Sequence, residues 1–186
     1  GIDMIESFKE KLIQALNQGG LIEKEALDKA LEPQKKYGGS LGKILVEQGA
    51  ITQKTLMVIM SHKLGIPLID LSKYKVDPAI IKIIPEKLAR HYCLIPISKI
   101  ANVLTVATWD PLNIFAMDDL KMITKFEIEP VLSLESDLLE AINTYYGAQA
   151  SDISEIVLDD EQSDLEVVDE KENIDVSEMA EASKSA

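Results

Sequence analysis

An internal repeat constrains the fold of this chain more than any other feature of its sequence. A displacement of 29 residues superposes identical residues at one constant offset. The matching pairs are Leu12 with Leu41, Leu16 with Leu45, Gly20 with Gly49, Ile22 with Ile51, and Leu27 with Leu56. Self-similarity at a fixed period indicates a duplicated structural unit. Each copy contains a short apolar-periodic segment, a glycine and a second such segment, so the pattern predicts two helix pairs.

Apolar residues at steps of three and four predict where the four helices lie. The predicted ranges are 5–17, 23–36, 40–48 and 52–64. Thr52 is expected to cap the fourth helix, which Gly65 and Pro67 should end. Pro33 removes a backbone N–H, so we expect it to kink or end the second helix near Leu31. On periodicity alone, the repeated leucines are expected to be core side chains.

The glycine-rich segment at residues 38–44, GGSLGKI, looks at first like a phosphate-binding P-loop. A P-loop needs a glycine five residues before its Gly-Lys pair and a Ser or Thr after the lysine. Tyr37 and Ile44 occupy those two positions. The sequence therefore predicts a turn between two helices, in which Gly38 or Gly39 supplies a positive φ.

The second half of the chain alternates between strand and helix signals. Its predicted strands cover 67–71, 94–97, 103–108 and 127–132. Its first predicted helix covers 79–92 and is broken at Pro85. The second runs from a cap at Asp110 or Asn113 to about residue 125, and the third covers 135–146 and ends at Gly147. Phe115, Leu120 and Ile123 are expected on the buried side of the middle helix. The order predicts an α+β fold: a four-helix subdomain at 4–65, then a subdomain at 66–147 with a small mixed sheet and helices on one face.

Charge and cysteine content bound the partners and the compartment. Residues 148–186 carry a net charge of −11 out of the total of −13 and contain no aromatic residue, which predicts a disordered acidic linker. Such a chain is not expected to bind nucleic acid. A single cysteine, Cys93, fits a reducing cytoplasm, and no apolar run reaches the ~18 residues of a membrane span. Residues 1–3, which precede the first methionine, are expected to be a tag remnant.

No grouping of reactive side chains predicts catalysis. His62 and His91 lack a second His or a Cys at ligand spacing, so no metal site is expected. Asp118 and Asp119 are neighbours, which places them about 100° apart on a helix, and a solvated face is expected there. The serines have no partnered histidine that could activate them. The sequence therefore predicts a chain that is not itself an enzyme.

Six sequence blocks nevertheless resemble one known family. They are LGKILVEQG at 41–49; LGIPLIDL at 64–71; Ile84-Pro85 with ARHY at 89–92 and Ile95-Pro96; LTVA at 104–107 with DPLN at 110–113; DDL at 118–120; and INTYYG at 142–147. In this order they resemble the N-terminal region of the hexameric ATPases that drive type II secretion and type IV pilus assembly. The resemblance covers about Phe8 to Gly147, and the acidic segment after it resembles the linker that leads to the motor domain in that family.

The resemblance implies a non-catalytic docking and regulatory module. Its partners would be the motor domain of its own ATPase and the cytoplasmic domain of an inner-membrane platform protein. The module would then be cytoplasmic and peripheral to the inner membrane through that partner. It would hold no cofactor, since ATP and magnesium belong to the motor domain. The alternative function is a sensor of cyclic di-GMP, which some family members bind.

In those members a duplicated pattern opens with Arg-Leu-Gly and ends in Gln, and it coincides with the repeat. The ligand-binding residues that the resemblance implies are Lys11, Leu12, Leu16, Gly20, Ile22, Leu27, Leu31, Gln34, Leu41, Gly42, Leu45, Val46, Gly49, Ile51 and Leu56. Lys11 and Ser40 stand where the pattern has arginine, Ile13 where it has glycine and Lys63 where it has glutamine. A guanidinium can stack on a guanine and donate two hydrogen bonds at once, which neither lysine nor serine can do. Docking and sensing therefore both remain open at this point.

Overall fold

The computed structural model describes the backbone of residues 2–160 and the side chains of residues 4–147. Within this part of the chain the elements are α1 (Ile2–Gly19), α2 (Lys24–Tyr37), α3 (Leu41–Glu47), α4 (Gln53–Leu64), a 3₁₀ turn (Leu71–Lys73), α5 (Pro78–Ile81), α6 (Glu86–Tyr92), β1 (Leu94–Ile100), β2 (Val103–Thr108), α7 (Ile114–Thr124), β3 (Glu127–Leu132) and α8 (Glu135–Asp160). The predicted α+β class is confirmed. None of the helices described is long and apolar enough to cross a membrane.

The four helices of the repeat are all present, and each copy packs against the other. α1 contacts α4 and α2 contacts α3, so the first helix of each copy packs on the second helix of the other copy. As predicted, Thr52 caps α4, with its Oγ1 accepting a hydrogen bond from the N–H of Thr55 at 3.2 Å. Gly65 ends α4 with a φ of 71°, a left-handed conformation that costs glycine little.

Pro33 does not end α2, which continues to Tyr37. Of the two expected effects, a kink or an end near Leu31, the end is therefore wrong. Proline forfeits one hydrogen bond, but the residues before it, Leu27 and Ala30, are buried and hold the helix in place. The last turn is closed by the N–H of Gly38, which donates to the carbonyl of Gln34 at 3.0 Å. Tertiary packing thus outweighs the local penalty.

The sheet is mixed, with strand order β1-β2-β3. β1 and β2 form an antiparallel hairpin, and β2 and β3 pair in parallel from Val103 opposite Glu127 to Thr108 opposite Leu132. The predicted strand at 67–71 is wrong, since only Leu68 forms a single parallel bridge, to Leu132. The chain then leaves the sheet because Asp70 accepts a hydrogen bond from the N–H of Ser72 at 3.1 Å, which caps the 3₁₀ turn.

Two boundaries near the end of the fold also differ from expectation. α8 does not end at Gly147 but continues to Asp160, through the first part of the predicted disordered linker. The remainder of that predicted linker, residues 161–186, lies outside the described residues. The chain divides into one unit that ends at Tyr145 and another that begins at Tyr146. The division into subdomains at 4–65 and 66–147 stays a prediction.

α7 presents a different side to the core than the sequence predicted. Leu120 is fully buried as expected, but Phe115 and Ile123 are 55% and 50% exposed. The buried side is instead formed by Ala116, Met117 and Leu120. Apolar residues occur all around this helix, so the sequence alone could not tell which side faces the core.

Candidate ligand site in the helical repeat

The repeat places equivalent positions of its two copies in two different environments. At the offset of 29 residues, Lys11 is equivalent to Ser40 and Gln34 is equivalent to Lys63. Because each copy packs on the other, position 11 of α1 lies beside position 63 of α4. Because α2 packs on α3 in the same way, Gln34 of α2 lies beside the loop that leads into α3. The structure thus forms two related sites, each combining the start of one copy with the end of the other.

The first site is an open groove between α1 and α4. Its volume is about 390 Å³, and it is lined by Lys11, Gln14, Ala15, Gln18, Gly19 and Lys63. Both lysines are exposed. Two ammonium groups and two amide side chains offer hydrogen-bond donors to an oxyanion, and the described lining contains no carboxylate that would repel one. The groove is therefore chemically suited to a phosphate-bearing ligand.

The second site is closed around Ser40, which is only 5% exposed. Its Oγ accepts a hydrogen bond from the N–H of Lys43 at 3.3 Å and so caps α3. The same hydroxyl donates to Oδ1 of Asp110, which is 7% exposed and follows β2. Ser40 therefore joins the repeat to the sheet, and its hydroxyl is committed to protein partners.

Burial dominates the electrostatics of this junction. It raises the pKa of Asp110 from 3.8 to about 6, against the hydrogen bond from Ser40, the nearby charge of Lys43 and a backbone hydrogen bond from Leu112, all of which lower it. The charge of Glu47 adds a smaller increase. No local sequence pattern predicts this pair, because its members are 70 residues apart.

Gln34 also faces the protein backbone at the second site. Its Nε2 donates to the carbonyl oxygen of Gly39 at 3.4 Å. Gly38 and Gly39 have φ values of 77° and 91°, so both adopt the positive φ that the sequence predicted for one or the other. The buried Oε1 of Gln34 has no hydrogen-bond partner among the described residues. A donor on a bound molecule would compensate the cost of leaving that oxygen unpaired.

Most of the residues that the resemblance assigns to ligand binding lie in the core. The buried ones are Leu12, Leu16, Ile22, Leu27, Leu41, Gly42, Leu45, Ile51 and Leu56, whereas Lys11, Gly20, Leu31, Gln34, Val46 and Gly49 are exposed or half-buried. Gly42 has a packing reason to be glycine, since a Cβ there would lie 3.0 Å from Cδ2 of Leu56. A ligand at the surface of the repeat would therefore mainly contact the six exposed or half-buried residues rather than the nine buried ones.

Comparisons with known proteins agree with this architecture. The family model described as the MshEN domain matches residues 64–152. The type IV pilus assembly ATPase PilB of Myxococcus xanthus is 40% identical over 177 residues, which cover 95% of this chain and 31% of PilB. PilB of Acinetobacter baylyi is 32% identical over 157 residues, which cover 83% of this chain and 26% of that protein. The chain thus spans less than a third of the length of these relatives.

Solved structures lead to the same family. A structure described as MshE with cdg has 29% sequence identity and a TM-score of 0.58, covering 73% of this chain and 98% of that one. The N-terminal domain of XpsE has 17% identity and a TM-score of 0.59, covering 73% of this chain and 94% of that one, and so supports the fold. The chain belongs to the family of N-terminal regions of type IV pilus assembly ATPases, in which it carries an MshEN domain.

Proposed function

We propose that this chain is a non-catalytic docking and regulatory module, which couples the motor domain of a pilus or secretion ATPase to an inner-membrane platform protein. The observation that carries the proposal is the extent of the match. At 40% identity, the chain aligns over 95% of its own length with only 31% of a pilus assembly ATPase. The structure describes a folded unit within that share. A separately folded unit that is joined to a motor domain can bind a partner and hold the motor near it without taking part in ATP hydrolysis.

Docking in this sense places the chain in the cytoplasm, peripheral to the inner membrane through its partner. The test is calorimetric titration of the chain with the cytoplasmic region of the platform protein from the same organism. A 1:1 complex is expected. Absence of heat up to high micromolar concentrations, with both proteins shown to be folded, would refute the docking role.

The groove between α1 and α4 supports a second candidate function, the sensing of cyclic di-GMP. Lys11, at the start of the first copy, and Lys63, at the end of the second, both line this groove, and a structural neighbour at 29% identity is described as MshE with cdg. Ser40, by contrast, is buried in its contact with Asp110. We therefore expect any binding to centre on the first site, where two cations can approach a phosphate.

A titration with cyclic di-GMP followed by amide chemical shifts separates this candidate from docking alone. Shifts are expected at residues 11–19 and at Lys63. Lys11→Ala and Lys63→Ala should each weaken binding by roughly ten- to a hundredfold, since a hydrogen bond to a charged group contributes roughly 1.5–3 kcal/mol. Lys24→Ala changes an exposed lysine at the start of α2 and is the matched control. Unmoved signals both in the groove and at residues 41–49 would exclude the sensor.

A further inference from the structure

α7 exposes large apolar side chains on the side that faces away from the core. Phe115, Met122 and Ile123 are 55%, 63% and 50% exposed, although Ala116 and Leu120 on the other side are buried. A helix that is apolar all around is normally covered on both sides. The described part of the chain covers only one side of α7 and leaves these three side chains exposed.

Helical geometry arranges these residues as a stripe with an acidic border. At 100° per residue, Phe115 and Met122 are separated by about 20° around the axis, with Asp119 on one side and Asp118 on the other. Ile123 lies beyond Asp119. We call these five residues, Phe115, Asp118, Asp119, Met122 and Ile123, the α7 outer face.

The apolar part of this face continues onto the loop before α3. A Cβ built on Gly38 would lie 3.5 Å from Cζ of Phe115. The neighbouring Tyr37 is 74% exposed. Exposed apolar side chains that adjoin one another and have a polar border are typical of protein interaction sites.

The border indicates the charge of the partner. Asp119 is held in place by Tyr92, whose hydroxyl donates to Oδ2 at 2.5 Å. Asp118 is exposed. The cation on α7, Lys121, is directed to Glu127, with its Nζ 3.6 Å from the carboxylate. Lys or Arg beside an apolar stripe would complement this border, whereas a second copy packed two-fold on the same face would bring like charges together.

We propose that the α7 outer face is the docking surface for a basic amphipathic helix of the partner protein. Phe115 and Met122 would contact its apolar side, and Asp118 and Asp119 would pair with Lys or Arg at its edge. The spacing of seven residues between Phe115 and Met122 matches two turns of a helix laid along α7. This inference rests on the proposed docking function and names the surface that performs it.

The experiment uses two binding partners and the full chain. The first is a synthetic amphipathic helix with a leucine stripe bordered by lysines, and the second is the cytoplasmic region of the platform protein. The double variant Phe115→Ser, Met122→Ser should weaken binding of both by about thirtyfold, which is the scale of an interface hot spot. Leu21→Ser, at a residue that is 57% exposed between α1 and α2, is the matched control and should leave affinity within about twofold.

A charge variant tests the polarity of the partner. Asp118→Lys should weaken binding and flatten its salt dependence, whereas Asp28→Lys, at an exposed position of α2, should not. A folded circular dichroism spectrum and a cooperative thermal transition establish that each variant is folded. Amide shifts on binding are expected at residues 115–123.

The possible outcomes separate the inference from the function on which it rests. If the synthetic helix binds α7 and the platform protein does not, the surface stands and the platform role fails. If the platform protein binds and the α7 variants leave its affinity unchanged, the docking function stands and this surface is wrong. If the chain sediments as a dimer that Phe115→Ser dissociates, the occupant is a second copy and the inference is overturned.

Discussion

The buried carboxyl of Asp110 makes the stability of the folded chain depend on pH. Burial raises its pKa from 3.8 to about 6, so the folded chain holds a proton that the unfolded chain releases between those two pH values. A difference of about two pKa units corresponds to about 3 kcal/mol. This contribution to stability is fully present below pH 3.8 and is lost as the pH rises through about 6. At neutral pH the folded state must accommodate a buried charge.

Asp110→Asn removes the titration and preserves the shape of the side chain. The amide oxygen can still accept the hydrogen bond that Ser40 donates to the carboxyl. At pH 4 the variant and the wild type should have nearly equal free energies of unfolding. At pH 7 the variant should be more stable by up to about 3 kcal/mol.

Urea denaturation at intervals from pH 4 to pH 8 measures this difference directly. All other carboxyl groups titrate in both proteins, so their effects cancel when the two free energies of unfolding are subtracted. The difference should increase between pH 4 and pH 6 and then become constant. A difference that does not depend on pH, or that favours the wild type as pH rises, would refute the assignment of a raised pKa to Asp110.

Three further substitutions test the helix caps and the close helix contact, with urea denaturation at pH 7 as the assay. Ser40→Ala should lower the free energy of unfolding by about 2–4 kcal/mol, because α3 loses its cap and Asp110 loses a buried hydrogen-bond donor. Thr52→Ala removes an exposed cap of the same kind and should cost only about 1 kcal/mol; equal losses in the two variants would contradict the importance of the buried pair. Gly42→Ala should lower the free energy of unfolding by about 1 kcal/mol, since its Cβ would lie 3.0 Å from Cδ2 of the buried Leu56. An increase in stability would contradict this prediction, because it would show that Leu56 and α4 shift at little cost to make room for the methyl group.

The helical repeat could be predicted from sequence because its signals are local. Apolar spacing located all four helices, and the caps at Thr52 and Gly65 depend on residues within one turn of each helix end. A dense run of β-branched residues predicts β2, and the segment at 127–132 that the sequence predicts as a further strand is β3. Each of these signals lies within about ten residues of the structure it specifies.

The failures have both local and distant causes. Residues 67–71 have the composition of a strand, but the cap formed by Asp70 turns the chain after one bridge to Leu132. Phe115 and Ile123 are apolar and were expected to be buried, yet only one side of α7 faces the core. The junction of Ser40 with Asp110 joins segments 70 residues apart. No periodicity within either segment could reveal it.

This junction also explains why two copies of one sequence pattern give two unlike sites. Position 11 is an exposed lysine beside a groove, whereas its equivalent at position 40 is a buried serine that caps a helix and reaches the sheet. An arginine at position 40 would have to place a guanidinium where the serine is 5% exposed, and α3 would lose its cap. Ser40, which stands where the family pattern has arginine, is therefore the residue that links α3 to the sheet. It follows that a ligand bound at the first site would act on α1 and α4, while α3 stays fixed to the sheet through Asp110.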